Sequence, residues 1–361
     1  MKKHLINVLK FLLFLSIGVV ILYFVYQKQN TAYIENCKLE GIPLDECSLI
    51  DKIWTDFTGV NFFWLFSVLI AFTISNLSRA LRWNLLIRPL GYQPKSINSF
   101  FSVMVGYFAN LFLPRAGELV RAGTMSRYEQ IPVEKLIGTI VVGRIFDVIS
   151  ILTVTAACFL LEYDKIWAET QRLLALEETS AGGSGGTTIL IIGLMIILVL
   201  LALLFFFRSV IFESKIYHKA VNIIKGFWQG IQSIRQLEKP WLFAFHSINI
   251  WFMYFAMTYL CFFAFAPTAS LPAIAGLIVF VFGGWGIVVP SPGGMGTYHF
   301  MVVTALALYG VGGDDAFSFA NISFFSINLG CNVLMGILGL LLLPILNKNY
   351  VPAQPATQGV S

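Results

Sequence analysis

The sequence predicts an all-α fold, a polytopic bundle of membrane helices, and two observations support this prediction. Hydrophobic residues make up 57% of the 361-residue chain and charged residues only 12%, whereas a soluble domain is about one quarter charged. The mean hydropathy is +0.78, and the apolar residues fall into segments of roughly the 20 residues that cross a bilayer as a helix. We therefore expect no sizeable soluble domain and no nucleic-acid partner.

Six apolar segments are long enough to be full spans. The first follows a basic N-terminus but is not followed by a small-residue cleavage site, so we expect a retained helix and not a signal peptide. Together the spans are expected to form one integral-membrane domain, residues 1–346, before a flexible tail, residues 347–361. The predicted spans are Leu5–Tyr26, Val60–Ala80, Leu136–Leu161, Ile189–Phe207, Trp241–Phe265 and Phe317–Leu346.

Two further apolar segments contain Pro and Gly, which interrupt a helix. The charges that flank the first segment place both of its ends in the cytoplasm, and the remaining spans connect only if the second also returns to its starting side. We therefore predict two re-entrant helical hairpins, with eight full spans as the alternative. The interrupted segments are Ile97–Leu113 before Pro114, within the element 97–131, and Pro272–Tyr309, the element 272–309, which is broken at Pro290–Gly296.

Loop charges orient the bundle, because basic residues favour the cytoplasmic side. Lysines at the N-terminus place that end inside, and the acidic loops 27–59 and 162–186 fall outside. The basic segment 208–239 is expected to be a cytoplasmic amphipathic stretch. The protein is thus predicted to lie in a bacterial inner membrane with its N-terminus and C-terminus in the cytoplasm.

Two of the five cysteines share the predicted outer loop. Cys37 and Cys47 could form a disulfide in an oxidising compartment, and two free thiols are the alternative. Cys158, Cys261 and Cys331 lie within apolar spans, where a buried thiol packs as a small hydrophobic residue.

The two interrupted segments resemble each other. One contains Leu-Phe-Leu-Pro114-Arg-Ala-Gly117 and the other Ile-Val-Val-Pro290-Ser-Pro-Gly293, so each has three apolar residues, a proline and a glycine three positions later. Paired interrupted segments in two halves of a transporter are typical of inverted repeats around a binding site near the bilayer midplane. Chance similarity is the alternative for so short a match.

Charged residues cluster at the first break. Arg115, Glu118 and Arg121 are spaced three apart, so Glu118 and Arg121 would share a helix face and could pair. The helix that resumes here would also point its first amides at an anion. The same run contains Asn110, Pro114 and Gly117.

Arg144 and Asp147 repeat this spacing inside the Leu136–Leu161 span. Arg144 lies about eight residues, or roughly 12 Å, into that helix, which is too deep for its guanidinium to reach the surface easily. Ionisable groups at membrane depth are costly and face a cavity or each other. A surplus of arginine over carboxylate in this region favours an anionic ligand.

These observations predict a pocket in which Arg115, Arg121 and Arg144 bind a lipid phosphate, while Glu118 and Asp147 hold the arginines in place. The alternatives are a purely structural pair within the span and a cytoplasmic rim of arginines at the first break. Three further arginines are interpreted as rim residues, namely Arg79, Arg82 and Arg88.

The second break carries no charge. Its glycines would let backbone amides approach a ligand closely, and a tight turn between two short helices is the alternative. His299 follows the break and either donates a hydrogen bond to a headgroup or packs as a buried side chain. The predicted binding residues of this segment are Pro290, Gly293, Gly294, Gly296 and His299.

Signatures of catalysis are weak. The sequence contains no His-Glu-x-x-His, P-loop or Cys-x-x-Cys motif. Gly182–Gly186 formally matches Gly-x-Ser-x-Gly around Ser184, but a linker between two spans offers neither the strand nor the helix of a nucleophile elbow. We therefore predict no catalytic residue, no metal and no cofactor.

Three ordered motifs, Asn110–Arg121, Gly143-Arg144-x-x-Asp147 and Pro290–Gly296, resemble the transmembrane region of lysylphosphatidylglycerol synthases, a flippase-like membrane family. The resemblance implies a multi-span bundle with re-entrant helices around a lipid-accessible cavity. In aminoacyl-lipid synthases this region is associated with moving the modified lipid, and a separate cytosolic domain transfers the amino acid. This sequence lacks that domain, so we do not expect lysyltransferase activity.

The residues and the resemblance together predict a non-enzymatic lipid translocase. Its expected partner is a membrane phospholipid or a polyprenyl-phosphate-linked lipid, bound by its anionic headgroup in an arginine-lined cavity. A membrane-embedded enzyme, an accessory subunit for lipid-linked envelope precursors and a homo-oligomer are left open.

Overall fold

The protein is all-helical in the part of the chain that the structure describes. The computed structural model describes residues 2–40, 42–43, 47–112, 116–165, 167–168, 171, 237–288 and 294–352. Most of them belong to one compact unit, Met1–Thr155 with Leu237–Ser361, and a second unit, Ala156–Gln236, is described only near its beginning. The predicted span Ile189–Phe207 and nearly all of the segment 208–239 lie outside the described residues.

Eleven α-helices and one π-helical segment are described in these ranges. The first seven are α1 (Lys2–Glu40), α2 (Leu49–Thr58), α3 (Phe62–Ile87), α4 (Ser96–Phe112), α5 (Gly117–Glu129), α6 (Val133–Leu161) and α7 (Pro240–Ala264). The others are α8 (Ala273–Val288), α9 (Thr297–Ala307), α10 (Gly313–Ser323), the π segment (Phe324–Cys331) and α11 (Asn332–Leu346).

Four helical segments in the described residues are long and apolar enough to cross a membrane. They match four of the predicted spans, although three begin several residues earlier or end later than predicted. The remaining apolar helices, α4, α8 and α9, are shorter than a full span. The four segments are Phe62–Leu90, Val133–Leu161, Pro240–Ala264 and Gly313–Leu346.

The region predicted as an outer loop, residues 27–59, is largely helical. Helix α1 continues to Glu40 and α2 begins at Leu49. At 39 residues, α1 is about 58 Å long, which exceeds the roughly 30 Å of the hydrocarbon core. Ser48 caps α2 by accepting a hydrogen bond from the Asp51 amide at 3.3 Å, and Cys37 and Cys47 form a disulfide that ties α1 to the start of α2.

Helices α4 and α5 form an antiparallel hairpin, hereafter hairpin 1. Close to the break, a Cβ on Gly106 would lie 2.8 Å from the Gly117 carbonyl oxygen, so only a glycine permits this helix contact. At the other end, Asn98 donates a hydrogen bond to Glu129 at 2.6 Å. The start of α4 and the end of α5 therefore lie side by side.

The first residues of the predicted flexible tail are hydrogen-bonded to the end of hairpin 1 at which Asn98 and Glu129 meet. Asn347 and Asn98 exchange side-chain hydrogen bonds of 2.7 and 2.9 Å, and the Tyr350 hydroxyl donates to Glu129 at 2.9 Å. Burial and this hydrogen bond raise the pKa of Tyr350 to about 12. The end of α11 is thereby anchored to hairpin 1.

Helices α8 and α9 form a second antiparallel hairpin, hereafter hairpin 2. Thr297 donates a hydrogen bond to the Gly286 carbonyl oxygen at 2.6 Å. One turn further from the break, a Cβ on Gly283 would lie 2.8 Å from the Tyr298 ring and 3.3 Å from Val302. Both hairpins thus close through glycines that face the partner helix.

The helices on either side of each hairpin give the chain a repeated order. Helix α3, hairpin 1 and α6 are followed later by α7, hairpin 2 and the long segment from α10 to α11. Helices α3 and α7 pack in antiparallel orientation: the Asn61 amide donates to Ala264 at 3.0 Å and the Ser75 hydroxyl to Ile250 at 3.4 Å.

Each hairpin also packs against the final long helix of the other half. In α11, a Cβ on Gly339 would lie 3.1 Å from Val105 of hairpin 1. In hairpin 2, Trp285 donates a hydrogen bond to Thr155 of α6 at 3.1 Å. The two halves are therefore interlocked and enclose a common interior.

An ion-pair cluster joins α2 to α10. Lys52 lies 2.7 Å from Asp56, 2.7 Å from Asp315 and 3.7 Å from Asp314. The two aspartates of α10 also stand in its first turn, where negative charge favours a helix. Burial alone would lower the pKa of Lys52, but its hydrogen bonds with Asp315 and Asp56 raise it above the ordinary value.

Replacing this lysine tests the contribution of the cluster to stability. We expect Lys52→Met to lower the free energy of unfolding by about 1–3 kcal/mol, because it leaves half-buried carboxylates without their donor. Since the pKa of Lys52 is raised, its contribution is fully present below the ordinary value of 10.5 and is lost only at more alkaline pH. Thermal unfolding in detergent measures the change. Lys38→Met, at an exposed position of α1, is the matched control, and equal effects of the two changes would contradict this account.

Candidate functional site

Asp147 of α6 is the centre of a buried charge cluster. Its carboxylate accepts hydrogen bonds from Arg79 at 2.8 Å and from Arg82 at 2.6 Å, both in α3, and Arg144 lies 3.4 Å away. The side chains of Arg79 and Arg82 are only 4% and 3% exposed. Burial of charge is tolerated when the groups are paired and hydrogen-bonded, and Asp147 supplies that pairing.

The prediction that Arg79 and Arg82 are rim residues is wrong. Helix α3 continues past both arginines to Ile87, and α7 covers them. Arg79 donates a second hydrogen bond to the Tyr254 hydroxyl at 2.8 Å, and Arg82 donates to Ser247 at 3.2 Å. The apolar run Leu85-Leu86-Ile87 that follows the arginines was the available signal, because an apolar segment that resumes indicates charges within a helix.

The predicted pair of Glu118 and Arg121 is also wrong. Glu118 accepts a hydrogen bond from Arg144 and so joins hairpin 1 to α6. Arg121 follows one turn later on the side of α5 that packs against Gly106, and its guanidinium lies 3.8 Å from the centre of the Trp83 ring. Helix packing at the glycine contact therefore directs the two side chains to different neighbours.

Positive charge exceeds negative charge in this cluster. Four guanidinium groups, those of Arg79, Arg82, Arg121 and Arg144, surround a space of about 10 Å³ together with Asp147, which is room for about one water molecule. Among the described residues, Asp147 and Glu118 are the carboxylates within 4.0 Å of these arginines, and Arg121 has none. The uncompensated charge makes the cluster suited to an anion.

A cavity of about 530 Å³ adjoins the cluster. Its volume falls in the range of small-molecule binding sites, and its wall is mostly apolar with a few polar groups, as in such sites. Arg79, Arg144 and Asp147 belong to both the cluster and the cavity wall. The side chains of Arg144 and Glu118 are 40% and 41% exposed, so part of the charge is accessible.

Described residues next to the break of each hairpin line this cavity. Asn110 and Leu111 line it from the end of α4, and Ile287, Val288 and Gly294 line it from hairpin 2. Asn110 also accepts a hydrogen bond from the Gly117 amide at 2.8 Å. The first amide of α5, predicted to face an anion, is therefore already bonded within the protein.

The other predicted binding residues lie either outside the cavity wall or outside the described part of the chain. Gly117, Glu118, Arg121, Gly296 and His299 are not part of the cavity wall as described. His299 is 1% exposed and packs against the rings of Phe317 and Phe324. Of the two roles predicted for this histidine, the structure agrees with the buried packing side chain. Gly294 and Gly296 have φ angles of 81° and 82°, which favour glycine. The residues outside the described part are Pro114, Arg115, Pro290 and Gly293.

Several residues of the cavity wall were not predicted. Tyr107 and Tyr254 line it and their hydroxyls lie 3.3 Å apart. Trp251 and Asn328 line it as well. An aromatic or asparagine residue in a membrane span is common at helix contacts, so the sequence holds no signal that separates these residues from packing positions.

The fold and the site define a class, that of polytopic α-helical membrane proteins with paired helical hairpins around an internal cavity. Residues 48–342 match the family described as the lysylphosphatidylglycerol synthase TM region. The chain belongs to this family, as the three motifs predicted. The family is a membrane domain and not the catalytic domain of such synthases.

A short segment is also similar to a curated protein. Over 69 residues the chain is 38% identical to the UPF0104 membrane protein MJ1595 of Methanocaldococcus jannaschii. The match covers 18% of this chain and 20% of that protein. No solved structure matches the chain.

The dependence of the arginine cluster on Asp147 can be tested by mutation. We expect Asp147→Asn to lower the free energy of unfolding by about 3–5 kcal/mol, because it leaves buried guanidinium groups without a counter-charge. Glu118→Gln should cost less, since its side chain is 41% exposed. Thermal unfolding in detergent ranks the variants by their loss of stability. Glu134→Gln, at an exposed position of α6, is the control. A loss for Asp147→Asn no greater than that of the control would contradict the assignment.

Proposed function

We propose that this protein is a lipid transporter, a flippase-like translocase that binds the anionic headgroup of a membrane lipid in its interior. The observation that carries the proposal is the excess of arginine in the wall of a largely apolar cavity. Membership of the family supports a transporter-like membrane protein. The proposal assigns no aminoacyl transfer to this chain.

The arginines suit a phosphate. A guanidinium group donates two parallel hydrogen bonds to phosphate oxygens and stays charged when buried. Arg144 is the best placed for this role, because it lines the cavity, is 40% exposed and is oriented by Glu118 and Asp147. Arg79 supplies a second positive charge, fixed by Asp147 and Tyr254.

The rest of the cavity suits the remainder of a lipid. Aliphatic and aromatic side chains such as Phe72, Ile151, Val279 and Phe280 form most of its wall. Acyl or polyprenyl chains gain free energy by contacting such a surface. A membrane phospholipid and a polyprenyl-phosphate-linked lipid both combine a phosphate with a long apolar chain, and these are the proposed substrates.

We propose that the repeated helix order is an inverted repeat that provides alternating access. The antiparallel packing of α3 and α7 relates two halves of opposite orientation, each containing one hairpin. In this scheme the hairpins are re-entrant, six helices cross a bacterial inner membrane fully, and both termini are cytoplasmic. Rocking of one half against the other would open the cavity to either side.

A scrambling assay in liposomes tests this function. We expect the wild-type protein to move fluorescently labelled phosphatidylglycerol faster than labelled phosphatidylcholine. Arg144→Gln should slow phosphatidylglycerol movement about tenfold or more, because it removes charge-assisted hydrogen bonds worth about 1.5–3 kcal/mol.

Arg127→Gln is the matched control, since it removes the same charge from an exposed position of α5. It should leave the rate unchanged. Thermal unfolding of each variant separates a loss of transport from a loss of folded protein. Equal rates for both lipids, or equal rates for both variants, would overturn the proposed function.

A further inference from the structure

In addition to the arginine cluster, an uncharged polar side chain, that of Asn328, lines the cavity from a π-helical segment. Asn328 lies in the π segment Phe324–Cys331, and its half-buried side chain belongs to the cavity wall. π-Helical turns are rare and occur frequently at functional sites. The side-chain amide of Asn328 makes no hydrogen bond with any residue that the structure describes.

The neighbouring asparagine adds to this polar surface. Asn332 lies one turn later and also lines the cavity. Its side-chain nitrogen donates to the Asn328 carbonyl oxygen at 2.9 Å, which fixes the amide orientation. Its side-chain oxygen then has no hydrogen-bond partner in the described part of the chain. The Asn328 amide therefore presents to the cavity a donor and an acceptor without partners among the described residues, and the buried oxygen of Asn332 is a further acceptor without a partner beside it.

Most other polar side chains of the cavity wall have a hydrogen-bond partner within the protein, although the indole nitrogen of Trp251 and Nε of Arg79 have none in the described part of the chain. Arg79, Arg144 and Asp147 bond within the charge cluster, and Tyr107 contacts the Tyr254 hydroxyl. The Asn328 amide of the π segment differs in that neither its donor nor its acceptor has a partner among the described residues. An unsatisfied polar group in a protein interior is costly, so a ligand that bonds to it gains affinity and orientation.

The chemistry of an amide selects the ligand group. A carboxamide donates and accepts at once, and so does a hydroxyl group. A phosphate diester only accepts, and it has the arginines as its natural partner. An ammonium group only donates, and the excess of arginine beside the cavity repels it.

We propose that Asn328 and Asn332 form a hydroxyl-binding subsite of the cavity. The arginine cluster binds the phosphate and the two amides bind free hydroxyl groups of the same headgroup. The substrate class is therefore a lipid phosphodiester whose headgroup carries free hydroxyls, either phosphoglycerol or a phosphate-linked sugar. This inference rests on the proposed function and narrows its substrate.

Two short-chain lipids of equal charge separate the subsite from the phosphate site. Dihexanoyl phosphatidylglycerol and dihexanoyl phosphatidylmethanol share the phosphodiester, and only the first has headgroup hydroxyls. Binding of each to the purified full-length protein in detergent is measured by calorimetry. We expect the wild-type protein to bind the glycerol lipid about tenfold more tightly.

Variants in the long segment Gly313–Leu346 test whether the subsite causes the tighter binding of the glycerol lipid. Asn328→Leu should abolish the preference, because it removes the amide that binds the hydroxyls and keeps the arginines that bind the phosphate of both lipids. Asn321→Leu is the matched control: its amide bonds the Phe317 carbonyl oxygen at 2.8 Å and is not part of the cavity wall, so the preference should persist. Asn328→Gln keeps an amide and should retain part of it.

The outcomes distinguish the two proposals. Equal wild-type affinity for the two lipids, or a preference unchanged in Asn328→Leu, overturns the subsite and leaves the transport proposal standing. No binding of either anionic lipid overturns the proposed function itself. A third measurement uses a short-chain polyprenyl glycosyl phosphate and shows whether the hydroxyls belong to a glycerol or to a sugar headgroup. The lipid whose affinity falls more in Asn328→Leu is the better match to the subsite.

Discussion

The carboxylate of Asp147 is the constraint on which the rest of the site depends. It places two arginines of α3 and one of α6 around a single negative charge, and the two buried arginines, Arg79 and Arg82, have no other carboxylate partner among the described residues. The same ion pairs join α3 to α6 at the wall of the cavity. The ion pairs of Asp147 therefore have two consequences. They stabilise the buried arginines of α3, and, because three arginines share one carboxylate, they leave the wall of the cavity positively charged.

Glycine contacts determine where that charge meets the cavity. Hairpin 1 closes at Gly106 and Gly117, and this close approach turns Arg121 towards Trp83 and Glu118 towards Arg144. Hairpin 2 closes in the same manner at Gly283 and Gly286, against Tyr298 and Thr297. In the function proposed above, the two hairpins carry part of the binding surface during alternating access.

The sequence was sufficient to predict elements that depend on local composition, and insufficient for contacts between elements. Apolar runs predicted the long helices, and Pro and Gly predicted that two apolar segments are interrupted. Arg79 and Arg82 were misassigned because charges near the end of an apolar segment resemble a rim until a neighbouring helix covers them. Glu118 was paired with the wrong arginine because helical spacing shows only neighbours on one helix. The free amide of Asn328 depends on a π turn, which the residue pattern does not reveal.

The most direct test of the account is a structure of the protein in phosphatidylglycerol nanodiscs at a resolution that shows lipid headgroups. We predict a phosphate inside the cavity, with an oxygen about 2.7–3.0 Å from a guanidinium nitrogen of Arg144 or Arg79. Headgroups confined to the outer surface of the bundle, with only acyl chains in the cavity, would contradict the central claim.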